Sequence, residues 1–254
     1  MNQPIVLLRG LFRSQFHWGI FPQILQDLYP ERSVVCLDIP GAGKRHNEIS
    51  PSSVRGMVES LRADFNGAVK LDIIAVSMGG MIALKWAELY PDQVASVICI
   101  NTTAAGFSPF WQRLLPDNYI RLIVALFSGT YQRESVIFRL VSNQPSDDRL
   151  IEQWVATDKQ YPMRRMNFFR QLYAAATFEV SRPACPLLFI SSAQDRLVCP
   201  EATQAIAHAW RERLIINEQD GHDIPLDNPQ WLCRHVSPWL HSGFVSPEPK
   251  RDRS

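Results

Sequence analysis

Ser77 stands in Ala75-Val76-Ser77-Met78-Gly79-Gly80, between a β-like run and a helix-like run. Residues 71–76 (LDIIAV) are apolar and rich in β-branched side chains, which predicts a short buried strand. Residues 78–90 (MGGMIALKWAELY) hold good helix formers and stop before Pro91. A serine at so tight a strand-to-helix turn sits in a strained conformation with its hydroxyl presented as a nucleophile. The crowding requires small residues two positions to either side, and Ala75 and Gly79 supply them, with Gly80 giving further relief. An ordinary strand-to-helix turn is the plainer alternative. The hydroxyl is a poor nucleophile at neutral pH and needs a base from elsewhere in the chain.

Two later residues fall just past the ends of predicted strands. Residues 186–192 (PLLFISS) lead into Ala193-Gln194-Asp195, and residues 214–217 (LIIN) lead into Glu218-Gln219-Asp220-Gly221-His222. Of the six histidines, His222 is the one that follows a strand and a glycine turn near the C-terminus. Asp223 and Asp227 are too near His222 in sequence to approach it from a separate strand end, so solvated or capping roles are expected. The Asp-x-Pro-Gly context of Asp38 reads as a structural turn. His46, His208, His235 and His241 read as surface or helix positions. No histidine pair has metal-ligand spacing and there is no H-E-x-x-H, so no metal is expected. Gly41 and Gly43 lack the third glycine of a dinucleotide loop, and Pro40 follows the strand instead.

These segments resemble the α/β-hydrolase superfamily across about residues 4–240. The likeness includes Val6-Leu7-Leu8-Arg9-Gly10-Leu11, Trp18, Leu37-Asp38-Ile39-Pro40-Gly41-Ala42-Gly43 and Pro91-Asp92-Gln93-Val94. It departs twice, with Ala75 where the elbow usually has glycine and Arg9 where the family usually has histidine. The order Ser, acid, His matches the family's triad. The resemblance implies Ser77 as nucleophile, His222 as general base and then acid, and Asp195 as the group that fixes the imidazole. It also implies an oxyanion hole from the backbone N–H groups of Leu11 and Met78, aided by the dipole of the helix starting at Met78. Arg9, His17 and Trp18 are candidate pocket residues, with a packing role at a helix start equally open for His17. An Arg9 side chain inside the pocket would favour a substrate bearing a distal carboxylate.

The expected architecture is α/β: a mostly parallel twisted sheet with helices on both faces. Strand-like runs at 5–8, 34–38, 71–76 and 94–101 alternate with helix-like runs, which implies right-handed crossovers. The alternation lapses from 104 to 183, where helices are expected over 118–127, 134–141, 147–157 and 163–177, and resumes at Pro186. This gives a hydrolase core of 1–103 and 184–242, a helical cap (lid) insertion of 104–183, and a disordered tail at 243–254. The cap carries 13 of the 26 aromatic residues. Most are expected to pack its helices together, and a few at its underside to line an apolar pocket.

With 254 residues, 46% hydrophobic and 20% charged, the chain suits one globular α/β domain with an insertion. The formal net charge of +1 gives no argument for nucleic acid or an anionic membrane as partner, and the cap's own excess of +3 is too small for one. Five cysteines without a C-x-x-C pair read as free thiols in a reducing compartment, and no signal peptide or membrane span is evident. A cytoplasmic location is therefore expected. The expected activity is that of a carboxylesterase-like serine hydrolase, cleaving an ester or thioester of a small to medium apolar acyl group without a cofactor. The expected partner is the small-molecule ester alone, and no partner protein is inferable. A lyase or carbon–carbon bond hydrolase with the same triad, or a ligand receptor on this fold, are the alternatives.

Overall fold

The computed structural model describes residues 3–63, 65 and 69–241. The expected tail at 243–254 lies outside the described residues. Six strands form one sheet in the order β2-β1-β3-β4-β5-β6. They are β1 (Ile5–Leu8), β2 (Val34–Leu37), β3 (Leu71–Val76), β4 (Val94–Ile100), β5 (Leu187–Ser192) and β6 (Arg213–Asn217). Every pairing is parallel. The expected fold is thus borne out, with a sheet that is parallel throughout these six strands.

Alternation along each strand sorts side chains into two layers. Val6, Leu8, Ile73, Ala75, Val97 and Cys99 face α2 (Val54–Arg62), α3 (Met78–Leu89) and α9 (Pro200–Trp210). Ile5, Leu7, Ile74, Val76, Ile98 and Ile100 face α1 (Phe21–Leu28) and α11 (Pro229–His241). Burial on both faces explains why β3 reads as a continuous apolar run. Its one acid, Asp72, is buried at the strand's start, where Arg32 Nη2 and Ser96 Oγ each donate to it at 2.5 Å.

Between β4 and β5 the chain forms five helices: α4 (Phe110–Arg113), α5 (Asp117–Phe127), α6 (Thr130–Val141), α7 (Asp148–Gln160) and α8 (Arg165–Ala176). Asp147 caps α7, its side chain accepting from the N–H groups of Arg149 and Leu150. Aromatic packing within this insertion holds for Phe138, Trp154 and Phe168, which are buried. It does not hold for Phe110, Trp111, Phe127, Phe169 and Tyr173, which are exposed. The reason is rotational: α5 and α8 turn other residues inward.

Candidate active site

Ser77 links the end of β3 to the start of α3 with φ 57 and ψ −124, a region that residues with a Cβ rarely occupy. Its N–H is anchored to Ile100 O at 2.8 Å. A Cβ on Gly79 would lie 2.4 Å from Leu8 O, and one on Gly10 would lie 2.8 Å from Ser77 Cβ. The small residues flanking the turn are therefore demanded by two neighbouring backbones, β1's as well as the turn's own.

The turn after β5 carries Asp195, and the loop after β6 carries His222. Both are buried. The N–H groups of Leu197 and Val198 donate to Asp195 Oδ1 at 2.8 and 3.0 Å. That leaves Oδ2 to accept from His222 Nδ1 at 2.6 Å. With its proton on Nδ1, the imidazole keeps the Nε2 lone pair free to accept another. Ser77 and His222 line one cavity of about 100 Å³ together with Gly10, Leu11 and Met78. Among the described residues no acceptor takes the N–H of Leu11 or Met78. The rest of the wall is largely aliphatic, including Leu122, Ile137, Leu140, Val141 and Leu172 from the insertion. Aromatic side chains of the insertion do not line this cavity, whose insertion wall is built largely from leucine, isoleucine and valine; Phe110 and Tyr119 line an adjoining one.

Strand order brings residues 77, 195 and 222 to the carboxyl edge of β3, β5 and β6, with β4 between the first two. A model of the α/β hydrolase fold matches residues 3–229. The chain belongs to the α/β-hydrolase family. It is 24% identical to the monoacylglycerol lipase ABHD6 of Rattus norvegicus over 264 aligned residues, covering 95% of this chain and 76% of that protein. Among solved structures, an esterase from Thermogutta terrifontis superposes with a TM-score of 0.71 at 20% identity, covering 96% of this chain and 91% of that one. The enol-lactonase from Burkholderia xenovorans superposes with a TM-score of 0.72 at 18% identity, covering 94% and 92%. At such identities the structural likeness speaks to fold alone.

This α/β-hydrolase differs in how the Arg9 position is used. Arg9 lines the cavity but is buried, and its Nη1 and Nη2 donate to the two carboxylate oxygens of Asp223, the first at 2.9 Å. Its guanidinium also lies 4.8 Å from the centre of the Trp18 ring. Asp223 is thus not solvated, and although it stands at the N-terminus of the short helix Ile224–Asp227, its side chain makes no capping bond, contrary to what the sequence led us to expect. It is 2% exposed and serves as the counter-ion of Arg9. Trp18 is fully buried behind that pair, and His17 borders a separate small cavity with Phe12, Arg13 and Glu134. His17 Nδ1 accepts from the Ser14 N–H at 3.1 Å, and its ring meets Trp154 edge-on at 5.5 Å. Burial, then the nearby Arg13 and Arg9, hold its pKa well below the usual histidine value.

Three further contributors escaped sequence reasoning. Asn101, at φ 50 just past β4, donates to His222 O at 2.8 Å and to Ser192 Oγ at 2.9 Å, and accepts from Ser192 N. The only signal was its type, since asparagine tolerates positive φ better than most residues. Arg13 Nη1 donates to Glu134 Oε2 at 2.8 Å and stacks over Trp154, joining the loop after β1 to α6 and α7. Asp227, expected to cap or be solvated, accepts from Ser142 Oγ, Asn143 N and Gly221 N, fastening the end of α6 to the loop that carries His222. Asp38 does hold its turn, accepting from Gln15 N and Lys44 N. Burial pushes the Cys36 and Cys233 thiols up to about 11 and Cys185 to about 12, so these three stay protonated at neutral pH.

Proposed function

We propose that this α/β-hydrolase is a serine hydrolase that cleaves a carboxylic ester of a small to medium apolar acyl group, through an acyl-enzyme on Ser77. The observation that carries the reading is the strained Ser77 and the His222–Asp195 pair opening into one aliphatic cavity. Ser77 Oγ attacks the ester carbonyl as His222 Nε2 takes its proton. The imidazolium that forms is stabilised by Asp195, whose orientation is set by the Leu197 and Val198 N–H groups. The N–H groups of Leu11 and Met78 receive the oxyanion, each contributing about 2.7–4 kcal/mol to lowering the barrier. His222 returns the proton to the leaving alcohol, and water then releases the acid by the same steps. Similarity to a monoacylglycerol lipase along most of the chain supports an ester as the bond cleaved.

A fluorophosphonate probe tests the reading. The parent protein should be labelled at Ser77, and Ser77→Ala should lose both labelling and turnover of p-nitrophenyl esters while keeping its circular dichroism. Labelling at a different serine would overturn the assignment. A parent that is folded yet neither labels nor turns over would point to a binding protein on this fold.

A further inference from the structure

Helix α5 buries Asn118, Leu122, Ala125 and Leu126. Its opposite face carries Ile120, Ile123, Val124 and Phe127, spaced i, i+3, i+4, i+7 and exposed by 75, 51, 58 and 61%. A helix in water ordinarily turns polar residues outward at such positions. Helix α8 is inverted further. It buries Asn167 and Gln171, which bond to Ser50 and Glu48 O, and exposes Met166, Phe169 and Tyr173. The two helices adjoin, with the Arg165 guanidinium 5.0 Å from the centre of the Phe127 ring. Helix α4 carries exposed Phe110 and Trp111, and Phe110 joins Tyr119 of α5 and Leu172 and Ala175 of α8 in lining a common cavity of about 250 Å³. That cavity shares Met81, Leu114 and Leu172 with the one above Ser77 and reaches the surface at Phe110.

Exposed apolar side chains gathered on adjoining helices in this way mark a contact face. Its charges identify the occupant. Arg121 on α5 and Arg164, Arg165 and Arg170 at and along α8 form no ion pair among the described residues. Asp117 is the one acid of α5, and α8 has none. Arg164, Arg165 and Arg170 border a shallow groove with exposed Met166 and Ile49. A second copy of this chain docked two-fold on this face would set the arginines against their own copies. An anionic lipid surface satisfies both parts, with side chains entering the boundary between headgroups and acyl chains while arginines meet phosphates. We propose that the α4–α5–α8 face docks on an anionic phospholipid bilayer. The cavity mouth at Phe110 then opens onto the lipid, so an apolar chain can enter without crossing water.

The test is flotation of the full chain carrying Ser77→Ala, which keeps the outcome independent of the ester-hydrolase reading. Vesicles of equimolar phosphatidylcholine and phosphatidylglycerol are compared with vesicles of phosphatidylcholine alone, at low and high salt. Binding to the mixed vesicles is expected, about tenfold or more weaker on neutral vesicles and at high salt. Paired Ile123→Glu and Phe127→Glu, and separately paired Arg164→Glu and Arg165→Glu, should each lower binding by a similar factor. All four positions are exposed, so folding is preserved, and Arg234→Glu on α11 should bind as the parent does. Equal binding by parent and both pairs, or none by the parent, overturns the proposal. A dimer in solution that the Ile123→Glu and Phe127→Glu pair dissociates, without vesicle binding, would assign the face to a second copy instead.

Discussion

The Arg9–Asp223 pair places two opposite charges in the wall of a largely aliphatic cavity, and its worth depends on both partners remaining. Arg9→Ala would leave a buried carboxylate without a counter-ion, and we expect a loss of about 3–5 kcal/mol in chemical denaturation. Arg9→Met combined with Asp223→Leu should recover most of that loss. Stability of Arg9→Ala equal to the parent would mean that the pair is solvated. Because Asp223 neutralises the guanidinium and takes one N–H from each of its terminal nitrogens, a distal substrate carboxylate meets no net positive charge there. A neutral ester should therefore exceed its acidic counterpart of equal length in kcat/KM, the reverse of what an unpaired Arg9 would give. The two acids near His222 separate in kinetics. Asp195→Asn should lower kcat by about 10⁴, the precedent for this kind of acid, whereas Asp223→Asn should act mainly on stability. Near-normal turnover by Asp195→Asn would discard it as the orienting group. Ser77 could be singled out in the sequence because its turn packs the sterics into six consecutive residues. The partnership of Arg9 with Asp223 could not, since 214 positions separate them and only strand order joins them.

At the level of elements, the inner strands were legible because β1, β3, β4 and β5 are almost wholly buried, and α5 to α8 because each runs for three turns or more, whereas the four-residue α4 was not expected. Boundaries moved by a few residues, as at α6, which begins at Thr130 rather than Glu134. Which side of each insertion helix faces inward was not legible. α5 is apolar on both sides and α8 hides its amides, so periodicity points the wrong way. The segment between β1 and α1 offers a pH test. His17 is held neutral there by burial, with Arg13 and Arg9 adding repulsion, so its folded pKa lies well below its unfolded value near 6.5. The stability it contributes is fully present above pH 6.5. It is lost as pH falls below that value, because the unfolded chain takes a proton that the folded one refuses. One such group can add at most about 1.4 kcal/mol per pH unit. Denaturant midpoints measured from pH 7.5 downward should fall more steeply for the parent than for His17→Gln. Parallel slopes would show that His17 titrates freely in the folded state.

Across the whole molecule, two cavities in series set the reach of a substrate. The space beside Ser77 is small, and the wall containing Met81 and Leu172 leads to the larger one. Each methylene buried there contributes about 0.8 kcal/mol, so kcat/KM for p-nitrophenyl esters should climb from acetate to hexanoate. Leu172→Trp, which fills the passage, should lower hexanoate turnover by about tenfold while leaving acetate nearly unchanged. Equal losses for both would remove the second cavity from the acyl route. No helix among the described residues is long and apolar enough to cross a membrane. Asp227 bears on a different matter, the exchange of parts between relatives. It gathers Ser142 and Asn143 from the end of α6 and Gly221 from the histidine loop onto one carboxylate. A recombinant in which residues 104–183 were replaced by a foreign insertion would keep that carboxylate and Gly221 but lose Ser142 and Asn143, and the loop under His222 would lose its tie to the insertion. The smallest segment that can be transplanted with activity intact therefore includes residues 221–227, although some 40 residues of core chain lie between the two pieces in sequence.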